Sequence, residues 1–120
     1  MQFSNTAGAN GMVFISGPAT DLSAYRAGRL TLEVYPYLYG SNTSDLTHKL
    51  ESGAGCATAD ISIGRPPQGA WATVSVPMST VLAGAAACLD VARIGSFSVF
   101  PRWNDQRGVQ MTVRNVAFRP

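Results

Sequence analysis

Apolar and polar residues alternate with a period of two along most of this chain, and clusters of Gly, Pro and Asn interrupt the alternation at short intervals. No segment of about 12 residues or more keeps the spacing of an amphipathic helix. The pattern predicts an all-β fold, a two-sheet antiparallel β-sandwich of the jelly-roll type. The predicted strands cover residues 11–16, 29–39, 57–63, 70–77, 96–103 and 108–118, with a weaker candidate at 45–51 and single helical turns at 22–27 and 80–87.

Length and charge narrow the possible roles. The 120 residues fit one domain, spanning residues 1–120. Charged residues make up 13% of the chain and the net charge is +2, so the surface suits a neutral, hydroxyl-rich partner better than a phosphate backbone. No apolar run approaches the ~20 residues of a membrane span, and residues 1–10 lack the features of a signal peptide. We therefore expect neither a nucleic acid nor a membrane as the partner.

Two cysteines, Cys56 and Cys88, occur with no CxxC motif or Cys/His cluster that would indicate zinc. The simplest interpretation is a disulfide. Closing the 31 intervening residues is worth about 3–4 kcal/mol, and such bonds are typical of proteins outside the cell. The alternative is two free, buried thiols in a cytosolic protein.

Residues 29–39 are the most informative segment for function. Successive side chains of a strand point to opposite faces, so the aliphatic set belongs in the core: Leu30, Leu32, Val34 and Leu38. The outward set then contains Thr31, Glu33, Tyr35, Tyr37 and Tyr39. At ~3.3 Å per residue, the three tyrosines form a stripe about 13 Å long, the scale of a few pyranose rings. A bulge at Pro36 would turn Tyr37 or Tyr39 toward the core, and partly buried tyrosines remain the alternative.

Other residues are candidates for ligand contact. Trp103 follows the strand at 96–103 and leads into a polar turn, so we expect it to contact a ligand, whereas Trp71 is expected to be a structural anchor at a strand start. His48, the only histidine, is expected at the surface. The side chains expected to bind sugar hydroxyls are Glu33, Arg102, Asn104 and Gln110.

Catalysis has little support in the sequence. The glutamates Glu33 and Glu51 and the five aspartates form no pair whose contexts would separate their pKa values, as glycoside hydrolysis requires. The chain contains no G-x-S-x-G, no HExxH and no phosphate-binding loop. We expect no enzyme, no cofactor and no metal site.

Several segments resemble a known family. They are D-L-S-A-Y at 21–25, G-C at 55–56, G-A-W-A-T-V-S-V-P at 69–77, the cysteine at 88 and N-V-A-F at 115–118. In this order they resemble the galactose-binding-like β-sandwich domains of bacterial β-glucan glucohydrolases and, more broadly, carbohydrate-binding modules attached to cellulases. The tyrosine run and residues 100–104 are more aromatic than expected for those domains.

The resemblance implies a secreted bacterial module that binds β-1,4-glucan, mixed-linkage β-glucan or xyloglucan and targets a covalently attached glycoside hydrolase. We expect the polysaccharide to stack on Tyr35, Tyr37, Tyr39 and Trp103. Two alternatives remain open. One is an accessory domain that binds nothing, and the other is a barrel that binds single-stranded nucleic acid through arginines: Arg102, Arg107, Arg114 and Arg119.

Overall fold

The computed structural model describes residues 1–5 and 9–120, which form two antiparallel sheets packed face to face. The four-stranded sheet contains β1 (Gln2–Ser4), β9 (Gln110–Arg119), β3 (Arg29–Leu38) and β7 (Ala72–Pro77), in that order. The five-stranded sheet contains β2 (Val13–Thr20), β8 (Ile94–Pro101), β4 (Leu46–Gly53) and β5 (Cys56–Ala57), and β6 (Ile61–Gly64) also pairs with β4. The predicted all-β sandwich is confirmed.

The core lies between the two sheets, because alternate side chains of each strand point inward. The four-stranded sheet contributes Leu30, Leu32, Val34, Val74, Val76, Met111 and Val113. The five-stranded sheet contributes Val13, Leu46, Leu50, Phe97 and Val99. The inward parity predicted for Leu30, Leu32 and Val34 is therefore confirmed, and the outer faces of the sheets carry the remaining side chains.

Helical structure among the described residues is limited to single turns. A 3-10 turn at Ser23–Tyr25 lies within the predicted segment 22–27. The helix α1 (Met78–Val81) begins two residues before the predicted turn at 80–87, and another 3-10 turn covers Val91–Arg93. Met78 and Val81 are fully buried, so α1 closes one end of the core. No helix in the described part of the chain is both long and apolar enough to cross a membrane.

Two strands differ from the prediction. The segment 57–63, predicted as one strand, forms β5 and β6, which pair with opposite ends of β4. Between them the chain leaves the ladder, and the Thr58 hydroxyl accepts a hydrogen bond from the backbone N–H of Leu50 at 3.0 Å. The strand β1 was not predicted, because its three residues are too few to show an alternation.

The predicted disulfide between Cys56 and Cys88 is confirmed. It joins β5 to the segment that follows α1, with the two Cα atoms 5.2 Å apart. The backbone N–H of Ala86 donates to the carbonyl of Ala57 at 2.9 Å, so the same two segments are also hydrogen-bonded.

Candidate functional site

Three aromatic side chains meet on the outer face of the four-stranded sheet. Tyr35 and Tyr37 project from β3, and Trp71 precedes β7, the neighbouring strand. The ring centroids of Tyr35 and Tyr37 are 4.6 Å apart, and those of Tyr35 and Trp71 are 5.4 Å apart. Tyr37 is 47% exposed and Trp71 37%. We call these three residues the aromatic cluster.

Tyr39 does not belong to the aromatic cluster, and its expected outward position is wrong. The register between β3 and β9 shifts between Pro36 and Leu38, which reverses the alternation beyond that point. Leu38, expected in the core, is consequently 46% exposed, whereas Tyr39 is only 7% exposed. The Tyr39 hydroxyl donates to the carbonyl of Pro66 at 2.6 Å, and burial raises the pKa of this phenol.

Pro36 is accommodated where β3 has a strand on only one side. The strand β7 starts at Ala72, opposite Val34, so no strand of the ladder lies beside Pro36 on that side. The carbonyl of Pro36 instead accepts a hydrogen bond from the backbone N–H of Gly69 at 2.8 Å. The N–H that proline lacks therefore costs no ladder bond here.

Trp71, which was expected to be a structural anchor, is 37% exposed and packs against Tyr35 within the cluster. Its parity with Thr73 and Ser75 did indicate an outward position. Nothing in the sequence, however, indicated that β7 pairs with β3 and so brings Trp71 beside Tyr35. The guanidinium of Arg114, from β9, lies 3.6 Å from the centre of the Trp71 ring and covers part of one face.

A polar network adjoins the aromatic cluster. The Glu33 carboxylate accepts a hydrogen bond from Asn115 Nδ2 and forms an ion pair with Arg114 at 3.3 Å. The hydrogen bond from Asn115 lowers the pKa of Glu33, and Arg114 acts in the same direction. Asn115 has a φ of 54° and lies at a second register shift between β3 and β9, which accounts for its unusual backbone conformation. Arg114 thus links Glu33 to Trp71.

A pocket of about 250 Å³, lined mainly by residues with polar side chains, opens on the same outer face. We call it the Glu33 pocket, and it is lined by Thr31, Leu32, Glu33, Thr73, Asn115 and Arg119. The Thr31 hydroxyl accepts a hydrogen bond from Arg119 Nε at 3.2 Å. Charged and hydroxyl groups therefore converge in a shallow depression beside the aromatic cluster.

Gln110, another predicted contact, also lies in the four-stranded sheet. It is half-buried near one end of β9, where it pairs with Leu38 and Ser4. Thr112, two residues further along β9, pairs with Tyr35 and donates a hydrogen bond to the Tyr37 hydroxyl at 3.3 Å. Gln110 therefore lies two residues along β9 from Thr112, which contacts the aromatic cluster directly.

The remaining predicted contacts lie in the loop that follows β8 of the five-stranded sheet. Trp103 stacks on Phe100 with the ring centroids 5.2 Å apart, and Phe100 lies on the opposite side of β8 from the core residues Phe97 and Val99. The backbone N–H of Asn104 donates to Asn10 Oδ1 at 2.7 Å, and Arg102 is exposed nearby. Trp103, Arg102 and Asn104 therefore lie in the loop beyond the end of β8, and among the described residues Trp103 makes its ring contact with Phe100 and none with Tyr35 or Tyr37.

The expected surface position of His48 is also wrong. It was expected at the surface, but it is fully buried on the inward face of β4, packed against Phe97. Its Nδ1 lies 2.9 Å from the carbonyl oxygen of Ser98 and its Nε2 has no hydrogen-bond partner among the described residues. Burial lowers the pKa of His48 to about 4, so the ring is neutral at physiological pH.

A second cavity, of about 410 Å³, lies where β2 departs from regular pairing with β8. Its side chains are mostly apolar and include Ile15, Leu22, Ile94, Val116 and Phe118. Such a lining offers few partners for hydroxyl groups, so the aromatic cluster and the Glu33 pocket form the better candidate site for a polar ligand. In the part of the chain that the structure describes, no group of three or more His, Cys, Asp or Glu residues is arranged to hold a metal ion.

Comparisons of the chain with protein families, with curated proteins and with solved structures found no match.

Proposed function

We propose that the protein is a non-catalytic carbohydrate-binding module that holds a β-glucan chain on the outer face of its four-stranded sheet. The observation that carries this proposal is the aromatic cluster, because two of its rings are substantially exposed beside the Glu33 pocket. Aromatic rings of this kind offer apolar area to the C–H faces of a sugar, while the polar groups bind its hydroxyls.

The stacking surface centres on Tyr37 and Tyr35. Tyrosine has few rotatable bonds, so fixing its ring against a ligand costs little conformational entropy. The hydrogen bond between Thr112 and the Tyr37 hydroxyl and the contact between the two tyrosine rings hold the rings in place before a ligand arrives. Glu33, Arg114 and Gln110 border these rings and supply hydrogen-bonding groups for sugar hydroxyls.

The wider role that we propose is targeting of an attached glycoside hydrolase to plant cell-wall polysaccharide outside a bacterial cell. The disulfide between Cys56 and Cys88 supports an oxidising, extracellular setting. The low fraction of charged residues, 13%, also suits a neutral polysaccharide such as β-1,4-glucan, mixed-linkage β-glucan or xyloglucan.

The proposal is tested by affinity electrophoresis on gels containing soluble β-glucan, followed by calorimetric titration with cello-oligosaccharides. Tyr37→Ala is expected to weaken binding at least about tenfold, equivalent to ~1.4 kcal/mol, because it removes the most exposed ring of the cluster. Trp71→Ala is expected to weaken binding as well. Phe14→Ala is the matched control, since Phe14 is 59% exposed on the outer face of the other sheet.

Equal affinity of Tyr37→Ala, Trp71→Ala and Phe14→Ala would contradict the proposed site. Salt provides a further check, because Arg29, Arg114 and Arg119 lie on the same outer face. Affinity for a neutral sugar should change little with salt concentration. Binding of single-stranded nucleic acid would fall steeply as salt is added, because the release of counterions on binding is less favourable at high salt.

A further inference from the structure

The Glu33 pocket contains hydrogen-bonding groups that the protein does not itself use. Glu33 Oε2 accepts the bonds from Asn115 and Arg114, whereas Glu33 Oε1 has no partner among the described residues. The Thr73 hydroxyl likewise has no protein partner in the described ranges 1–5 and 9–120. Arg119 uses its Nε to bond Thr31, which leaves its terminal nitrogens available. The pocket therefore offers an acceptor, a donor and a hydroxyl to a ligand.

This combination matches a pair of hydroxyl groups on adjacent carbons of one sugar ring. A carboxylate accepts a hydrogen bond from one hydroxyl, while a guanidinium donates to the oxygen of its neighbour. Bonds to charged groups are stronger than bonds between neutral groups, so the pair selects for the presence and orientation of the hydroxyls. The Asn115 and Arg114 contacts hold the carboxylate of Glu33 in place.

The Glu33 pocket lies next to the aromatic cluster along the direction of β3. Glu33 precedes Tyr35 by two residues on the same face of β3, a separation of about 6.6 Å along the strand. Thr73 follows Trp71 by two residues on the same side of the chain, and pairs with Glu33. A sugar in the Glu33 pocket and a sugar stacked on the tyrosines are thus separated by about one residue of an extended glycan.

The rings of the aromatic cluster are not coplanar. The planes of Tyr35 and Tyr37 are inclined at 46°, and those of Tyr35 and Trp71 at 69°. A flat crystalline surface would require rings lying in one plane, whereas a single glycan chain can turn from one ring to the next. The tilted rings and the adjoining pocket both favour an individual chain.

We propose that the Glu33 pocket is a sugar subsite that binds two adjacent hydroxyls of one residue of a single, soluble β-glucan chain, next to the residue stacked on Tyr35 and Tyr37. This inference rests on the proposed function and specifies its substrate as an individual chain. It also adds Thr73, Asn115 and Arg119 to the residues that determine specificity.

The test uses calorimetric titration of the whole protein with cellotetraose. Thr73→Val removes one hydroxyl with little change in shape, and Arg119→Gln removes the guanidinium. Each is expected to reduce affinity about fivefold to tenfold, the loss that one hydrogen bond produces. Ser75→Ala is the matched control, because it removes a hydroxyl from the same face of β7 outside the pocket and is expected to keep wild-type affinity. Thermal unfolding of each variant establishes that it is folded.

The outcomes separate the two proposals. If Tyr37→Ala weakens cellotetraose binding while Thr73→Val and Arg119→Gln bind as the wild type does, the subsite is overturned and the proposed function stands. If the wild-type protein binds no soluble glucan, both are overturned. A pull-down on microcrystalline cellulose is expected to leave the protein in solution, and retention there together with weak binding of cellotetraose would overturn the single-chain part of the inference.

Discussion

At the scale of single residues, Tyr37 and Tyr39 show how two identical side chains in one segment acquire different roles. Both belong to the same alternation in the sequence, yet Tyr37 is 47% exposed and Tyr39 is 7% exposed. The buried hydroxyl of Tyr39 bonds the carbonyl of Pro66, and the Arg65 guanidinium lies 3.9 Å from the centre of its ring. Tyr39 therefore anchors the segment around residues 65–66 to β3, and it has no free face for a sugar.

His48 makes the stability of the protein dependent on pH. Its folded-state pKa of about 4 lies below the ordinary value of 6.5, because burial disfavours the charged ring. The unfolded chain thus binds a proton at higher pH than the folded chain does. The free energy of unfolding has its full value above pH 6.5. It falls by up to about 3 kcal/mol as the pH is lowered toward 4.

Urea unfolding at a series of pH values measures this effect. Wild-type protein is expected to lose about 1.2 kcal/mol of unfolding free energy per pH unit near the middle of that window. The variant His48→Leu removes the titrating group, so its unfolding free energy should be nearly flat over the same window. Three carboxylates have lowered pKa values and change the unfolding free energy at lower pH than His48 does: Asp21, Glu33 and Asp105. Parallel pH profiles for the two proteins would contradict the assignment to His48.

At the scale of elements, the disulfide fixes a part of the five-stranded sheet that has little pairing of its own. The strand β5 has two residues, and its register with β4 is irregular. The bond to Cys88 and the hydrogen bond between Ala86 and Ala57 hold β5 against the segment after α1. The Cys56 and Cys88 side chains lie away from the four-stranded sheet, so their role is structural.

The double variant Cys56→Ser/Cys88→Ser tests this role. Its free energy of unfolding in urea is expected to fall by about 3–4 kcal/mol, because the unfolded chain regains the entropy of a loop of 31 residues. The affinity of the folded variant for cellotetraose should remain at the wild-type value. Wild-type protein treated with a reducing agent serves as the control and should show the same loss. Unchanged stability in both samples would contradict this role.

The sequence predicted strands well where one face is uniformly apolar. In β3 the alternation from Leu30 to Val34 placed Glu33 and Tyr35 correctly on the outside. It failed beyond Pro36, since the position of a bulge depends on how β9 pairs, and β9 lies more than 70 residues away along the chain. The central strand β4 was only a weak candidate, because its buried positions include Thr47 and His48, which read as polar.

The composition of the site was harder to predict than its location on β3. Trp71 and Arg114 come from β7 and β9, on either side of β3, and only the strand order brings them together. Local neighbours pointed to the wrong tryptophan for this cluster, since Trp103 lies between Arg102 and Asn104 whereas Trp71 lies between Ala70 and Ala72. Strand order separates them, because β7 and β8 belong to different sheets.

At the scale of the whole molecule, the two outer faces of the sandwich point in opposite directions, with the core between them. Packed sheets lie about 10 Å apart, so a glycan chain that lies on one outer face makes no contact with the other. Trp71 belongs to the face with the aromatic cluster, and Trp103 stacks over Phe100 on the opposite side. The two tryptophans of the chain therefore report on the two faces separately.

Nuclear magnetic resonance of nitrogen-15-labelled protein follows the indole signals of both tryptophans in one titration. Each indole N–H gives a separate signal, and the variant Trp103→Phe assigns them. Addition of cellotetraose is expected to shift the Trp71 signal progressively, because a sugar stacked on Tyr35 changes the surroundings of the indole 5.4 Å away. The Trp103 signal should stay in place. A shift of the Trp103 signal with a constant Trp71 signal would transfer the binding site to the five-stranded sheet.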